Sequence, residues 1–376
     1  MKTVPFYDLG PIARAEATEL HECLDEVIAG GYFVGGPLVS RFENQFSTFI
    51  GSAETVGVAN GLDAIRLALE AYGVGEGDEV IVPAFTYYAT WLGITQTGAT
   101  PVPVDCLMDS ANIDPAAIEA AITERTRAVI AVHLYGQAAD LLAIKAITDA
   151  HQLILVEDAA QSHGAMSTAG MTGSVGHAAA FSFYPTKNLG ALGDAGAVTT
   201  SDEAIAARIR SRRSYGQGAS KYDHVDTGWN SRLDPLQAAF LSLHLRKLAD
   251  WTERRREIAA SYLDALGERA VSVVGPQKIT GSVWHHFVLR AADRPELQRY
   301  LESKGVHSDV HYPYAVHELA PMLPLLSPAS RRVHFPVAES LAATVTSLPM
   351  GPWMAQEQVN QVADALRKLP AGLLAQ

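Results

Sequence analysis

Between Glu54 and about Arg213 the chain alternates short apolar runs with stretches whose apolar residues recur at helical spacing. TVGVA precedes LDAIRLALEAYG, EVIVPA precedes TYYATWLGITQTG, TPVPVD precedes PAAIEAAI, and RAVIAVHLY precedes LLAIKAITDAHQ; the series closes on LILVED. This pattern predicts an α/β fold with a mostly parallel sheet covered by helices, because parallel neighbours need a crossover and strands buried on both faces read as continuous apolar runs. Right-handed crossovers bring the strands' C-terminal ends to one edge, where open α/β sheets bind ligands. Asn60, Tyr87, Asp158 and Gln161 all follow predicted strands directly.

Beyond this region a helical stretch, DWTERRREIAASYLDAL, leads to SVWHHFVLR, PELQRYLESKG, SDVHYP and EQVNQVADALRKL, which read as a compact α+β unit. With 376 residues the chain is long for one core. Two domains are expected, a large one over 1–250, including an N-terminal helical segment, and a small one over 251–376. The run GGYFVGGP lacks both the glycine spacing and the preceding strand of a dinucleotide-binding turn, so it reads as a turn or loop.

Acidic residues number 41 against 29 basic, a formal charge of −12, which argues against general affinity for nucleic acid or anionic membranes. Cys23 and Cys106 stand far apart in no metal-type spacing and suggest a reducing compartment. MKTVPFYDLG has no apolar signal core and no apolar stretch has membrane-spanning length, so a cytoplasmic protein is expected. His133, His163, His285 and His286 show no metal-binding spacing, and no metal is expected.

The run FSFYPTKNLGALGDAGAV, Phe181 to Val198, isolates Lys187 among small and apolar residues. Desolvation there would lower its pKa toward the reactive neutral amine, able to bind an aldehyde. Ser182 lies close upstream, and LILVEDAAQSHG reads as a buried strand delivering Asp158 and Gln161 at its end. Pyridoxal phosphate needs such a set, since its electron sink works best when a buried carboxylate keeps the ring nitrogen protonated. Asn60 and Gly61 stand at the start of an amphipathic helix, where free backbone N–H groups can bind phosphate. Singly, each feature has an ordinary reading: a solvated lysine, a strand-to-helix turn. The basic stretch holding Arg208, Arg210, Arg212 and Arg213, with Lys221 at the end of its loop, is either a solvated helix face or a clamp for a substrate diphosphate.

NGLDAIRLAL, GDEVIVPAFTYYAT, HLYGQAAD, VEDAAQSHGA, FSFYPTKNLGALGD, GWNSRLDPLQAA and SLPMGP together resemble the DegT/DnrJ/EryC1/StrS family of sugar aminotransferases over nearly the whole chain. The resemblance implies a fold-type I, pyridoxal-phosphate-dependent enzyme. Its large domain would carry a mostly parallel seven-stranded sheet, with a smaller C-terminal α+β domain, in a homodimer sharing two active sites. It makes Lys187 the Schiff-base lysine, Asp158 the partner of the pyridine nitrogen and Gln161 a contact to the ring hydroxyl, with Tyr87 stacked on the ring. Ser182 and backbone groups near Gly61 and Leu62 would hold the phosphate, and Asn230 would reach it from the partner subunit. Tyr184, His311 and Tyr312 are assigned to sugar recognition or proton handling. KNLGALGD resembles members that aminate C3 of nucleotide-linked keto sugars. The implied reaction moves nitrogen from L-glutamate to a nucleotide-linked 3-keto-6-deoxyhexose, dTDP-linked by preference, with a UDP-linked 3-keto or a C4-keto sugar as alternatives. A dehydratase of the same fold would replace the lysine by histidine; a cofactor-binding regulatory protein is the alternative of another class.

Overall fold

The computed structural model describes residues 3–275, 281–327, 330, 333–370 and 372–375. Strands β1 (Glu54–Val58), β2 (Glu79–Pro83), β3 (Thr100–Val104), β4 (Thr126–Val132) and β5 (Ile154–Asp158) coincide with the predicted apolar runs. A small hairpin, β6 (Met166–Ser167) and β7 (Gly170–Met171), precedes β8 (Ala178–Ser182) and β9 (Gly196–Thr200). The main sheet has seven strands in the order β1-β9-β8-β5-β4-β2-β3. Neighbours from β8 to β3 pair in parallel, while β9 runs antiparallel to both β8 and β1.

That one reversed strand places the lysine. β8 ends at the ligand-binding edge and β9 starts there, with Ser182 opposite Gly196. The intervening residues 183–195 therefore leave and re-enter the sheet at the same edge. The Phe183 N–H donates to the Ala195 carbonyl at 2.8 Å, and the Ala191 N–H donates to the Phe183 carbonyl at 2.8 Å, closing the loop that carries Lys187. Beneath it Phe42, Phe46, Phe181 and Phe183 form a buried cluster; the Phe46 ring meets Phe181 and Phe183 edge to face at 4.9 and 5.2 Å.

The helix Gly61–Ala71 begins where Asn60 Oδ1 accepts the Asp63 N–H at 2.8 Å, an N-cap that fixes its first turn. Its Ala64, Ile65, Leu67, Ala68 and Leu69 are buried in the core formed with the sheet.

A second core is built on the antiparallel sheet of β10 (Val273–Val274), β11 (Phe287–Arg290) and β12 (Val345–Leu348), packed by the helices Leu248–Leu266, Arg294–Ser303 and Gln356–Arg367. Val4, near the N-terminus, pairs with Val306 and belongs to this second core. The chain's beginning thereby crosses the junction between the cores, and Tyr7 is carried to the edge of the main sheet. No described helix is long and apolar enough to cross a membrane.

Candidate active site

A cavity of about 680 Å³ opens at the C-terminal edge of the parallel strands, within the range that encloses small ligands. Lys187 and Asp158 both line it. The Lys187 N–H donates to the Tyr184 carbonyl at 2.8 Å, which tightens the turn beneath the side chain. Burial lowers the Lys187 pKa to about 8, and the charge of Asp158 only partly opposes the shift. At that value about a tenth of the amine is neutral at pH 7.

Asp158 ends β5 and is buried. Its Oδ2 accepts the Thr90 hydroxyl at 2.8 Å, and Oδ1 accepts the Ala160 N–H at 3.2 Å. Burial raises its pKa, while these two donors and the charge of Lys187 pull the other way. A cation placed opposite it would favour the carboxylate further. The preceding residue, Glu157, anchors the same strand end. It accepts N–H groups from Gly173, Val175 and Gly176 and pairs with His133 Nε2 at 2.8 Å. His133 Nδ1 accepts the Ala139 N–H, so the proton of a neutral ring lies on Nε2 and points at the carboxylate.

Gly61, Leu62 and Ser182 meet at one end of the cavity. Gly61 and Leu62 carry the first N–H groups of their helix, which have no acceptor within it. The backbones here approach too closely for larger residues. A Cβ on Gly61 would stand 2.7 Å from Ser182 Cβ, and one on Gly196 would stand 2.4 Å from the Asn60 carbonyl carbon. The result is a narrow floor of donors at a helix N-terminus, suited to a phosphate.

Gln161 is fixed at both ends. Its Oε1 accepts the Tyr135 N–H at 2.7 Å and its Nε2 donates to the Tyr312 hydroxyl at 3.0 Å. Tyr87 is exposed to the cavity and lies 5.4 Å from the Tyr312 ring; Tyr184 is also exposed along the lining. His311 stacks on His286 with centroids 4.1 Å apart, and its Nδ1 lies 3.0 Å from the Ser347 hydroxyl. Burial, reinforced by Lys187, lowers the His311 pKa to about 4 despite the nearby Asp309. His286 is held well below the usual imidazole range by burial and by the charges of His311, Lys187 and Arg255. This wall of the cavity is therefore neutral at physiological pH.

Several lining residues carry no signal in the sequence. Tyr7, His285 and His286 reach the cavity from distant segments, and Asn188 secures His285 by its Oδ1, 2.9 Å from Nδ1. Thr86 and Thr90 share one face of a helix start within TYYAT, a spacing that names no role by itself. Lys221, expected as a substrate contact, and Asn230, expected to act from a partner subunit, lie elsewhere. Lys221 and Asn230 are exposed and do not line this cavity; Asn230 Oδ1 accepts from Arg232 at 2.6 Å. The arginines offered as a diphosphate clamp have partners within the chain. Arg210 bonds Glu54, Arg212 bonds Glu70 and Asp226, Arg213 bonds Glu43 and the Gly57 carbonyl, and Arg208 donates to the Ala71 carbonyl. They brace the helix Glu203–Arg212 against the sheet, because guanidiniums close to carboxylates find better partners there than in a loop.

The donor set fits pyridoxal phosphate on these grounds: a desolvated amine, a buried carboxylate, a phosphate-sized floor of N–H and hydroxyl donors, and an exposed aromatic ring in one cavity. Known proteins agree. Residues 14–367 match the model of the DegT/DnrJ/EryC1/StrS aminotransferase family. The chain is 46% identical over 366 residues to the erythromycin biosynthesis sensory transduction protein EryC1 of Saccharopolyspora erythraea, covering 97% of this chain and 99% of that one. It is 43% identical to the dTDP-3-amino-3,4,6-trideoxy-alpha-D-glucose transaminase of Streptomyces venezuelae, covering 97% and 96% of the two chains. The crystal structure of S. venezuelae DesV in complex with a ketimine intermediate superposes with a TM-score of 0.92, at 42% identity and 98% coverage of each chain.

Proposed function

This chain belongs to the DegT/DnrJ/EryC1/StrS aminotransferase family, and we propose that it transfers an amino group from L-glutamate to C3 of a nucleotide-linked 3-keto-6-deoxyhexose. The observation that carries the reading is the convergence of Lys187, Asp158 and the helix start at Gly61 on one cavity. Regiochemistry rests on the resemblance of KNLGALGD to C3-aminating members and on the 3-amino sugar named in the Streptomyces relative. That relative's name also favours thymidine diphosphate over uridine diphosphate.

When bound here, pyridoxal phosphate supplies an electron sink for the bond broken at the nitrogen-bearing carbon. The chain's own residues do the rest. Lys187 would provide the amine that holds the cofactor, and it is the group placed to take or return a proton beside it. Burial, which lowers its pKa to about 8 in the cofactor-free cavity, favours that role. Asp158 would keep a proton on the ring nitrogen, Ser182 and the N–H groups of Gly61 and Leu62 would hold the phosphate, and Gln161 would donate toward the ring hydroxyl. Tyr87, exposed to the cavity, would stack on the ring. Tyr184, His311 and Tyr312 shape the sugar side of the cavity, where neutral imidazoles favour an uncharged deoxysugar over a carboxylated one.

We place the enzyme in a homodimer in which the partner's copy of Asn230 completes the phosphate site and its Lys221 meets the substrate diphosphate. The exposure of both residues outside their own cavity supports this, as do the exposed Tyr32, Phe33 and Val34 in the loop after the N-terminal helices. A cytoplasmic location accords with the proposed nucleotide-sugar substrate and with two free cysteines.

The test is to add L-glutamate to purified holoenzyme and follow the cofactor's absorbance and 2-oxoglutarate, then add dTDP- and UDP-linked 3-keto and 4-keto sugars in parallel. The reading expects loss of the lysine-bound absorbance and an amino sugar from the dTDP-3-keto substrate. A regulatory protein that merely binds cofactor retains the absorbance.

A further inference from the structure

Asp158 is served by a relay of two buried hydroxyls. Thr86 Oγ1 lies 3.0 Å from Thr90 Oγ1, and Thr90 Oγ1 lies 2.8 Å from Asp158 Oδ2. All three side chains are buried, with Thr86 and Thr90 at 2% and 1% exposure. Each hydroxyl has one hydrogen to give, and an ionised carboxylate only accepts. If Asp158 is ionised, Thr90 must spend its hydrogen on Oδ2 and Thr86 must spend its own on Thr90. The polarity of the chain is thereby fixed, from Thr86 through Thr90 to Asp158.

A threonine in a helix usually turns its hydroxyl back to a carbonyl one turn earlier. Thr90 instead donates across to the end of β5, from the helix Tyr88–Thr95 that follows β2. Lys187 makes no hydrogen bond to the carboxylate among the described residues, so Thr90 is its one side-chain donor. The Ala160 N–H occupies a site on Oδ1 at the longer distance of 3.2 Å. Hydroxyl donation to the charged form favours it in a buried site where desolvation works the other way.

We propose that Thr90, supported by Thr86, is a positioning residue that holds Asp158 ionised and oriented toward the ring nitrogen of the bound cofactor. Its hydroxyl is committed to the carboxylate, so it acts through Asp158. The inference rests on the assignment of Asp158 as the ring-nitrogen partner, and its test separates the two.

Holoenzymes of the wild type, Thr90→Val, Thr90→Ser, Thr86→Val and Asp158→Asn are reconstituted with pyridoxal phosphate labelled with nitrogen-15 in the ring, and the nitrogen shift is followed against pH. Thr90→Val keeps the shape and removes the hydroxyl. It is expected to lower the pH at which the ring nitrogen loses its proton by about one unit, with kcat falling about tenfold and sugar KM unchanged. Thr90→Ser restores the wild-type titration, and Thr86→Val shifts it in the same direction by less. If Asp158→Asn moves the titration while Thr90→Val does not, Thr90 has no such role. If Asp158→Asn also leaves it unmoved, the assignment of Asp158 falls and takes the proposal with it. Should Thr90→Val fail to bind cofactor, Thr86→Val decides, because it leaves the Thr90 hydroxyl in place; a wild-type titration there overturns the relay.

Discussion

The Cα of Gly61 and the side chain of Ser182 pack so closely that a methyl on Gly61 would stand 2.7 Å from Ser182 Cβ. No ordinary Cβ contact is that short, and the other listener to any shift would be the helix start that presents its N–H groups. Gly61→Ala is therefore expected to weaken pyridoxal phosphate binding about tenfold or more, roughly 1.4 kcal/mol. Fluorescence or absorbance titration of the apoenzyme measures it. Wild-type affinity would mean that the phosphate is held elsewhere.

Lys187 carries a linkage of definite sign. Its pKa falls from 10.5 in the unfolded chain to about 8 in the folded apoprotein, so between those values the unfolded state holds more protons. The penalty for burying the charged amine is full below that window and is lost as pH rises through it. The uncharged Lys187→Met apoprotein is expected to be more stable than the wild-type apoprotein near neutral pH, by about 1–2 kcal/mol after allowing for solvent in the cavity. The difference should vanish at high pH. Urea midpoints of the two proteins on either side of the window test the sign.

Lys221 and the nearby arginines separate under mutation. Because Arg210 and Arg212 are held by Glu54, Glu70 and Asp226, Arg210→Ala should cost stability and leave sugar-nucleotide KM little changed. The exposed Lys221 lies over the Tyr222 ring and, among the described residues, has no carboxylate within ion-pair distance. Lys221→Ala is expected to raise KM about tenfold with little effect on kcat, the loss of one charge-assisted contact. Steady-state kinetics with the nucleotide sugar decides between them.

The proposed sharing of sites between two subunits predicts complementation. Asn230→Ala and Lys187→Ala should each impair activity, Lys187→Ala by about 10³-fold or more. Mixed dimers of the two variants contain one site with both residues intact. Equimolar mixing makes about half the dimers mixed, so activity recovering toward about a quarter of wild type is the expected outcome; no recovery on verified subunit exchange counts against Asn230 acting across the interface.

Asp105 ties the large core to a C-terminal helix. Its carboxylate accepts the N–H groups of Val337 and Ala338 at 3.0 and 2.9 Å, at the start of the helix Pro336–Thr344, whose own N-cap residue, Phe335, offers no side-chain acceptor. Asp105→Ala should cost about 1–2 kcal/mol, the range for losing an N-cap. A lower urea midpoint with an unchanged slope would register it.

The sequence by itself determined the five predicted strands, their crossover helices and the main chemical candidates. Periodicity is local, and a desolvated Lys187 or a strand-end Asp158 shows in its immediate neighbours. It also marked Gly61, because the residues at a helix start are contiguous. Tertiary structure decided what depends on the path of the chain. The reversal of β9 hangs Lys187 over the ligand edge, although AAAFS and GAVTT do not state their relative direction. Arg210, Arg212 and Arg213 look free in a list of residues, but their acceptors at Glu54, Glu70 and Glu43 come from elements far away in sequence. Tyr7 enters the cavity only because Val4 pairs with Val306, and the cap on Pro336–Thr344 only because Asp105 lies beside it. Side-chain identity sets what a group can do, but burial and long-range partners set its charge and direction, and those arise only when distant segments pack.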